Sequence, residues 1–257
     1  MIDTHCHLTY DGLFEQVDQV IDRAASAGVD RMITVGTFPD DATRAIELTQ
    51  RYDNVFATAG LHPHYADKWP DRDALIDRIR EFALMPKVVA LGEMGLDNHY
   101  PDPPIEDQRR ALEWQLELAS EISHLPIVIH NREATDQTLT MLRASGIPGE
   151  RFVFHCFTGD VAEFEKILEF GAMISFTGVV TFKNSKAIAE CAARMPDDRL
   201  MIETDSPYLT PEPHRKVRPN EPCYVACVAK FIAEQRGEDE QAFVAKVDAN
   251  AERFFGL

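Results

Sequence analysis

Short runs of apolar and β-branched residues recur along the chain, and stretches with helical spacing separate them. Within 14–28, 105–119 and 243–254 the apolar residues step by three and four positions, which predicts amphipathic helices. An alternation of strand and helix is typical of parallel strands joined by crossover helices. The predicted strands are 1–8, 31–37, 55–64, 88–97, 126–133, 151–157, 173–178 and 200–207.

Eight such units in 257 residues favour an α/β fold, a (β/α)8 TIM barrel that forms one domain over 1–257. An open, doubly wound sheet is the alternative. That fold typically carries a glycine-rich phosphate turn after its first strand, whereas here the first run ends in His5, Cys6 and His7. The pattern therefore favours the barrel.

The chain is strongly acidic, with 26 Lys and Arg against 43 Asp and Glu and a formal charge of −17. This balance argues against broad electrostatic attraction to nucleic acid, because phosphate binding needs concentrated Lys and Arg. A local basic patch is still compatible with it. The hydrophobic fraction of 45% is too high for a disordered chain.

The chain has five cysteines, an odd number that does not fit a disulfide framework. No apolar run reaches the ~18 residues of a membrane span, and the N-terminus has neither the basic nor the apolar region of a signal peptide. We therefore expect a cytoplasmic protein with reduced thiols and no membrane partner. A monomer is the expected state, since the acidic surface is compatible with one.

Histidines and carboxylates cluster near the C-terminal ends of the predicted strands. In a barrel those ends form the face on which active sites are built, so residues far apart in sequence would converge there. Because side chains alternate along a strand, His5 and His7 share a face and Cys6 points the other way. The residues at these ends are His5, His7, His62, His64, Glu93, His130, His155 and Asp205.

Imidazoles with carboxylates are the ligand chemistry of a divalent-metal site. The predicted ligands exceed what one tetrahedral cation uses, so we predict two divalent ions, with Zn, Mg or Mn as the candidates. His62 and His64 are interpreted as substrate contacts or loop residues. The predicted metal ligands are His5, His7, Glu93, His130, His155 and Asp205.

The same residues lie in motifs that resemble those of the TatD family of metal-dependent hydrolases, within the amidohydrolase-like barrels. The motifs come in the family's order from residue 3 to the C-terminus. They are DTHCHL at 3–8, GLHPH at 60–64, GEMGLD at 92–97, IHNRE at 129–133, HCFTGD at 155–160, ISFTGVVTFKN at 174–184, IETDSPYLTP at 202–211 and NAERFFGL at 250–257.

The resemblance implies a role for each matching residue. His5, His7 and Asp205 would hold one metal, and Glu93 would bridge it to a second metal held by His130 and His155. His62 would lie beside the substrate phosphate. Family members are known as DNases, and some act on other substrates such as D-aminoacyl-tRNA. The loop 214–222 departs from the family pattern, because Pro219 separates Arg218 from Asn220.

We therefore expect a deoxyribonuclease that hydrolyses phosphodiester bonds with water activated by two cations. Asp205 and Glu93 are its predicted catalytic residues, Asp205 as general base and Glu93 as the group that holds the ions together. A short single strand of DNA or a DNA end is the expected substrate, because the basic residues on the mouth loops are few. These predicted phosphate contacts are Arg132, Lys183, Arg215, Lys216 and Arg218.

Two other functions stay open from the sequence. One is a hydrolase of another ester or amide: an aminoacyl ester, a lactone or a small phosphoester. Many relatives of that kind bridge their metals with a carboxylated lysine, but no lysine lies inside these strands, since Lys87 precedes the fourth. The other is a metal-binding scaffold without catalysis, which the intact set of predicted ligands disfavours.

Overall fold

The fold is a barrel of eight parallel strands, as a computed structural model that describes residues 1–257 shows. Each strand pairs with the next in sequence. A parallel bridge between Cys6 and Ser206 joins the last strand to the first. The strands are β1 (Ile2–Cys6), β2 (Arg31–Gly36), β3 (Val55–Ala59), β4 (Val88–Asp97), β5 (Ile127–Arg132), β6 (Phe152–Phe154), β7 (Met173–Phe176) and β8 (Leu200–Ile202). The predicted TIM barrel is confirmed.

Ten helices accompany the strands, and the three helical patterns read from the sequence are among them. The first pattern is divided between two helices, while the other two match single long helices. No helix is both long and apolar enough to cross a membrane. The helices are α1 (Asp11–Phe14), α2 (Val17–Ser26), α3 (Pro39–Arg51), α4 (Arg72–Ala83), α5 (Ile105–Glu121), α6 (Thr135–Ala144), α7 (Val161–Phe170), α8 (Lys186–Arg194), α9 (Val225–Arg236) and α10 (Glu240–Phe255).

Several strands end earlier than the apolar runs predict. The runs 151–157 and 200–207 contain strands of only three residues each. Cys156 and Asp205 have φ values of 47° and 52°, in the left-handed region, which an extended strand cannot contain. The chain therefore leaves the sheet at these points, and the polar residues that follow lie on the mouth of the barrel.

Apolar residues close the other end of the barrel. One core cluster joins the N-terminal parts of the strands, including Ile2 and Met201, to Ala251 and Phe255 of α10. A much larger cluster of 55 buried residues fills the layer between the strands and the surrounding helices. Because one end is packed with apolar side chains, the polar residues of the strands collect at the C-terminal mouth.

Candidate metal centre

The structure brings the six predicted metal ligands together at the mouth. Three of them lie within strands, on β1, β4 and β5. The others lie in the first residues after a strand has ended. These residues are His5 on β1, His7 after it, Glu93 on β4, His130 on β5, His155 after β6 and Asp205 after β8.

Glu93 is the centre of the cluster, and its two carboxylate oxygens face different partners. Oε1 lies 2.6 Å from His155 Nε2 and 2.8 Å from His130 Nδ1. Oε2 lies 3.4 Å from His5 Nε2. One buried carboxylate therefore faces two groups of imidazoles, one with each oxygen.

His7 and Asp205 complete the group on the Oε2 side. Asp205 Oδ1 lies 3.2 Å from His7 Nε2 and 3.8 Å from His5 Nε2. The rings of His5 and His7 meet edge to face with centroids 5.1 Å apart, so both imidazoles reach the same space. Cys6 points away into the apolar layer, as strand alternation predicts, and is fully buried there.

The local field favours cations. Burial alone would raise the pKa of Glu93, but His155, His62 and His130 lower it well below its ordinary value. Burial opposes a charged His155, yet Glu93 and the neighbouring Glu203 raise the pKa of its imidazole well above the usual range. The pKa of Asp205 is lowered despite its burial, chiefly by His7. The carboxylates are therefore ionised at neutral pH, and positive charge between them is stabilised.

The arrangement of donor atoms fits divalent cations. His5 is buried, and neither of its ring nitrogens has a hydrogen-bond partner, although a buried polar atom normally has one. One ring nitrogen of His130 and one of His155 converge on a single oxygen of Glu93. Imidazole nitrogens and carboxylate oxygens that share one space satisfy each other only through a proton or a metal ion.

His62 lies beside this cluster, 3.4 Å from Glu93 Oε1 and 3.2 Å from His130 Nδ1 through its Nε2 atom. Its Nδ1 atom accepts a hydrogen bond from the backbone N–H of His64 at 3.1 Å. The hydrogen-bond network therefore assigns the ring proton to Nε2. Burial lowers the pKa of His62 to about 4, so the ring is neutral and presents an N–H donor to the mouth.

Asp97, at the end of β4, holds several mouth residues at once, and the sequence analysis did not single it out. Its Oδ2 lies 2.9 Å from His130 Nε2 and 3.0 Å from His64 Nε2. A proton on Nε2 of His130 leaves the lone pair of Nδ1 facing Glu93. Asp97 is four residues after Glu93, so strand alternation places both on one face, and that signal could have identified it.

Glu203 is a second carboxylate that the sequence analysis missed. It is fully buried and lies 3.5 Å from His155 Nδ1 through Oε1, which also accepts a hydrogen bond from the backbone N–H of Cys156 at 2.7 Å. Ser175 donates to its other oxygen at 2.6 Å. Partners of this kind orient metal-ligating histidines. In the predicted strand 200–207 Glu203 is two residues before Asp205, and that spacing could have identified it.

The predicted phosphate contacts fall into two groups. Lys183 and Lys216 are exposed and form no hydrogen bond or ion pair within the chain, and Arg132 lies over the Tyr100 ring at 5.2 Å. These three cations are accessible from the mouth.

Arg215 and Arg218 contact residues in and beside their own loop. Arg215 stacks on Phe182 at 3.6 Å, and Arg218 Nη1 donates to Thr210 Oγ1 at 2.8 Å and to two loop carbonyls. Asn220, which follows the proline that departs from the family pattern, is buried and donates to the carbonyl of Thr204 at 3.1 Å. The loop 214–222 is thereby tied to the end of β8.

Comparisons with known proteins point in one direction. The family described as TatD related DNase matches residues 2–256. A protein of Bacillus subtilis (strain 168) named uncharacterized metal-dependent hydrolase YabD is 39% identical, and the match covers all of this chain and 99% of that protein. The 3'-5' ssDNA/RNA exonuclease TatD of Citrobacter rodentium is 37% identical, with 100% of this chain and 98% of that protein covered.

A solved structure gives the same relationship in three dimensions. The crystal structure of YJJV, a TatD homolog from Escherichia coli k12, superposes with a TM-score of 0.93 at 29% identity, and the match covers 100% of this chain and 98% of that one. The phosphotriesterase homology protein of Escherichia coli, at 18% identity and a TM-score of 0.68, shares the fold.

Proposed function

Because the chain belongs to the TatD-related DNase family, we propose that it removes nucleotides from the 3′ end of single-stranded nucleic acid, with two divalent ions at the barrel mouth. The family resemblance and the hydrolytic class read from the sequence are confirmed: the chain is an enzyme that hydrolyses ester bonds. What we propose beyond this is the substrate, the direction of cleavage from the 3′ end and the number of ions. The name of the Citrobacter rodentium relative supports the substrate and the direction of cleavage, and that of the Bacillus subtilis relative supports the need for metal.

The observation that best supports the proposal is that the two carboxylate oxygens of Glu93 face different partners. Its Oε2 faces His5, and Asp205 completes that side with His7. Its Oε1 faces His130 and His155. A carboxylate with separate partners on each oxygen suits a bridge between two cations. One ion would therefore be held by His5, His7, Asp205 and Glu93, and the other by Glu93, His130 and His155.

The chemistry supplied by two such ions is the activation of water near neutral pH and the neutralisation of charge on a phosphate. Asp205 provides the general base. Its carboxylate is ionised, because His7 lowers its pKa despite burial, and Oδ1 lies 3.2 Å from His7 Nε2. General-base catalysis contributes roughly 100- to 10,000-fold to a rate.

His62 positions the phosphate rather than a metal. Since its ring proton is on Nε2 and the ring is neutral, the nitrogen that faces the cluster donates a hydrogen bond and has no lone pair for a cation. A non-bridging phosphate oxygen is the acceptor that this donor fits. Arg132, Lys183 and Lys216 would attract the neighbouring phosphates of the strand.

The test is the cleavage of a 5′-labelled single strand and of the same strand in a blunt duplex, with Mg²⁺, Mn²⁺ or Zn²⁺. We expect a ladder that shortens by one nucleotide at a time, a slower reaction on the duplex, and no cleavage with EDTA. In Asp205→Asn the rate should fall at least 100-fold at saturating metal. Asp77→Asn is the matched control, because Asp77 is exposed and forms no ion pair or hydrogen bond.

Three results would contradict the proposal. Cleavage that persists in EDTA would remove the metals from the reaction. Internal fragments without a ladder would replace exonuclease by endonuclease action. Full activity of metal-loaded Asp205→Asn would remove Asp205 from the role of general base.

A further inference from the structure

Three tyrosines lie exposed on the mouth of the barrel. Tyr10, Tyr100 and Tyr208 are 47%, 48% and 53% exposed, and their hydroxyls form no hydrogen bond within the chain. The other large exposed apolar residues are Leu84, Met85 and Val217, so every exposed tyrosine, phenylalanine or tryptophan belongs to the mouth. Packing does not explain this placement, since a buried or hydrogen-bonded tyrosine would serve packing better.

Each of the three follows a residue of the polar cluster by three positions in a turn. The backbone N–H of Tyr10 donates to the carbonyl of His7 at 3.1 Å, and that of Tyr208 donates to the carbonyl of Asp205 at 2.9 Å. The N–H of Tyr100 donates to the side chain of Asp97 at 3.2 Å. The residues that build the cluster thereby also fix the position of the rings.

The rings lie on two opposite sides of the cluster. Tyr10 and Tyr208 follow β1 and β8, which are neighbours, and Tyr100 follows β4, which is three strands from β1 and four from β8 around the barrel. The Tyr208 ring is 6.2 Å from the rings of both His7 and Tyr10. The Tyr100 ring is 5.2 Å from that of His64 on the other side.

Both sides are held in place although they are exposed. Asn220 Nδ2 donates to the carbonyl of Tyr208 at 2.5 Å, which anchors that turn to the loop 214–222. Arg132 lies over the Tyr100 ring at 5.2 Å, which combines a cation with an aromatic face. Fixed aromatic faces beside cations are how proteins hold single-stranded nucleic acid, since every base has a face that can stack.

We propose that Tyr208, with Tyr10, and Tyr100, with Arg132, form two stacking subsites for the unpaired bases on either side of the scissile phosphate. This inference rests on the proposed function. The terminal base occupies one subsite and the next base the other, while the phosphate between them lies over Glu93. In a duplex the faces of each base are stacked on the neighbouring base pairs, so only an unpaired end can offer a free face to the rings. Stacking does not read base edges or the 2′-hydroxyl, so DNA and RNA of any sequence fit.

The experiment is a double-mutant cycle between a tyrosine and a base. Tyr208→Leu and Tyr100→Leu remove a ring and keep an apolar side chain, whereas Tyr208→Phe and Tyr100→Phe keep the ring. Each variant is assayed for kcat/KM on a normal oligonucleotide and on oligonucleotides with one abasic residue at the terminal or the penultimate position. Leu84→Ala, at the opposite end of the barrel and 78% exposed, is the control for loss of an exposed apolar side chain.

We expect each Leu variant to lower kcat/KM on the normal strand by about 5- to 150-fold, and each Phe variant and Leu84→Ala to lower it less than about twofold. In each Leu variant, removal of one of the two bases should lower kcat/KM no further, since the ring that this base would contact is already gone. The base should be the terminal one for one tyrosine and the penultimate one for the other. Additive losses at both positions, or Phe variants as weak as Leu variants, would overturn the stacking subsites.

The outcomes separate this inference from the proposed function. If the wild type cleaves the normal strand and the Leu variants cleave it equally well, the exonuclease stands and the subsites are wrong. If the wild type cleaves neither the normal strand nor the abasic strands with any metal, the proposed function itself fails.

Discussion

A single carboxylate, that of Asp97, connects the cluster to the loop beside it. Its Oδ2 accepts from His130 and His64, and its Oδ1 accepts from the backbone N–H groups of His99 and Tyr100. All four partners present N–H groups, and an ionised carboxylate is the side chain that accepts on both oxygens. Asp97 therefore sets both the orientation of His130 and the position of the loop after β4.

Asp97→Asn should weaken the centre without a change in side-chain size. The amide places its own N–H₂ group against either the two imidazoles or the two backbone donors, so two of the four hydrogen bonds are lost. We expect a 10- to 100-fold loss of Mn²⁺ affinity, roughly the effect of other changes to such partners. Equilibrium dialysis with Mn²⁺ measures it, with Asp77→Asn as the control. Unchanged affinity would show that His130 needs no such partner.

At the scale of whole elements, basic residues join the end of the barrel opposite the mouth. Lys87, Arg151 and Arg199 stand immediately before β4, β6 and β8. Each donates to backbone carbonyls at the C-terminal end of the helix in the preceding strand-to-strand connection, α3, α5 and α7 respectively. These carbonyls lack partners within their helices and carry the negative end of the helix dipole. The cations therefore stabilise every second helix end.

Arg151→Gln tests this arrangement where it has most contacts. Arg151 donates to the carbonyls of Ala119, Ile122 and Leu125 at 3.1, 2.8 and 2.6 Å. The shorter, neutral glutamine leaves some of these oxygens without partners, and we expect the free energy of unfolding to fall by on the order of 3 kcal/mol. Urea denaturation measures it. Lys230→Gln, which removes an exposed cation that forms no ion pair or hydrogen bond, should change stability by less than ~0.5 kcal/mol.

The elements were largely predictable from the sequence, and their connections were not. Apolar residues recur every second position in strands and every three to four positions in helices that are buried on one face. All eight strands could therefore be found in order. The ends of β6 and β8 were placed too late, because residues such as Cys156 and Asp205 leave the sheet through backbone conformations that apolar patterning does not encode. The partners of Arg151 are carbonyls far away in the sequence, and no side-chain pattern reports them.

The site shows the same division. His5, His7 and Glu93 were identified because imidazoles and carboxylates at strand ends are chemically unusual. Asp97 and Glu203 were missed because each lies in a motif in which another carboxylate, Glu93 or Asp205, already supplied the predicted ligand. Alternation in the predicted strands 88–97 and 200–207 would nevertheless have placed each on the face of that ligand. We propose Glu93 as the carboxylate that contacts metal, and Asp97 and Glu203 as carboxylates that orient histidines. This assignment depends on distances that only the folded chain provides.

Over the whole molecule, charge is unevenly distributed. The chain carries a formal charge of −17, yet Arg132, Lys183 and Lys216 are accessible around the mouth. The opposite end of the barrel is filled by apolar side chains. For the proposed polyanionic substrate we therefore expect repulsion from most of the surface and attraction over a short distance at the mouth, and better binding of a free end than of a long duplex.

Activity should consequently fall as salt is added, with a shallow slope. Each phosphate neutralised on a single strand contributes about −0.7 to the slope of the logarithm of binding against the logarithm of salt, so three cations predict a slope near −2. Initial rates at low substrate between 50 and 200 mM KCl, about the range over which such effects are observed, measure it. Lys216→Gln should make the slope shallower, while Lys230→Gln should not. Initial rates that do not change with salt would contradict electrostatic attraction of the substrate to the mouth.

The two-ion centre is tested by a crystal structure of Mn²⁺-soaked crystals, with anomalous scattering recorded at the mouth. We predict two anomalous peaks with Glu93 between them, one contacted by His5, His7 and Asp205 and the other by His130 and His155, and no contact from His62. A single peak, or a metal coordinated by Nε2 of His62, would contradict it.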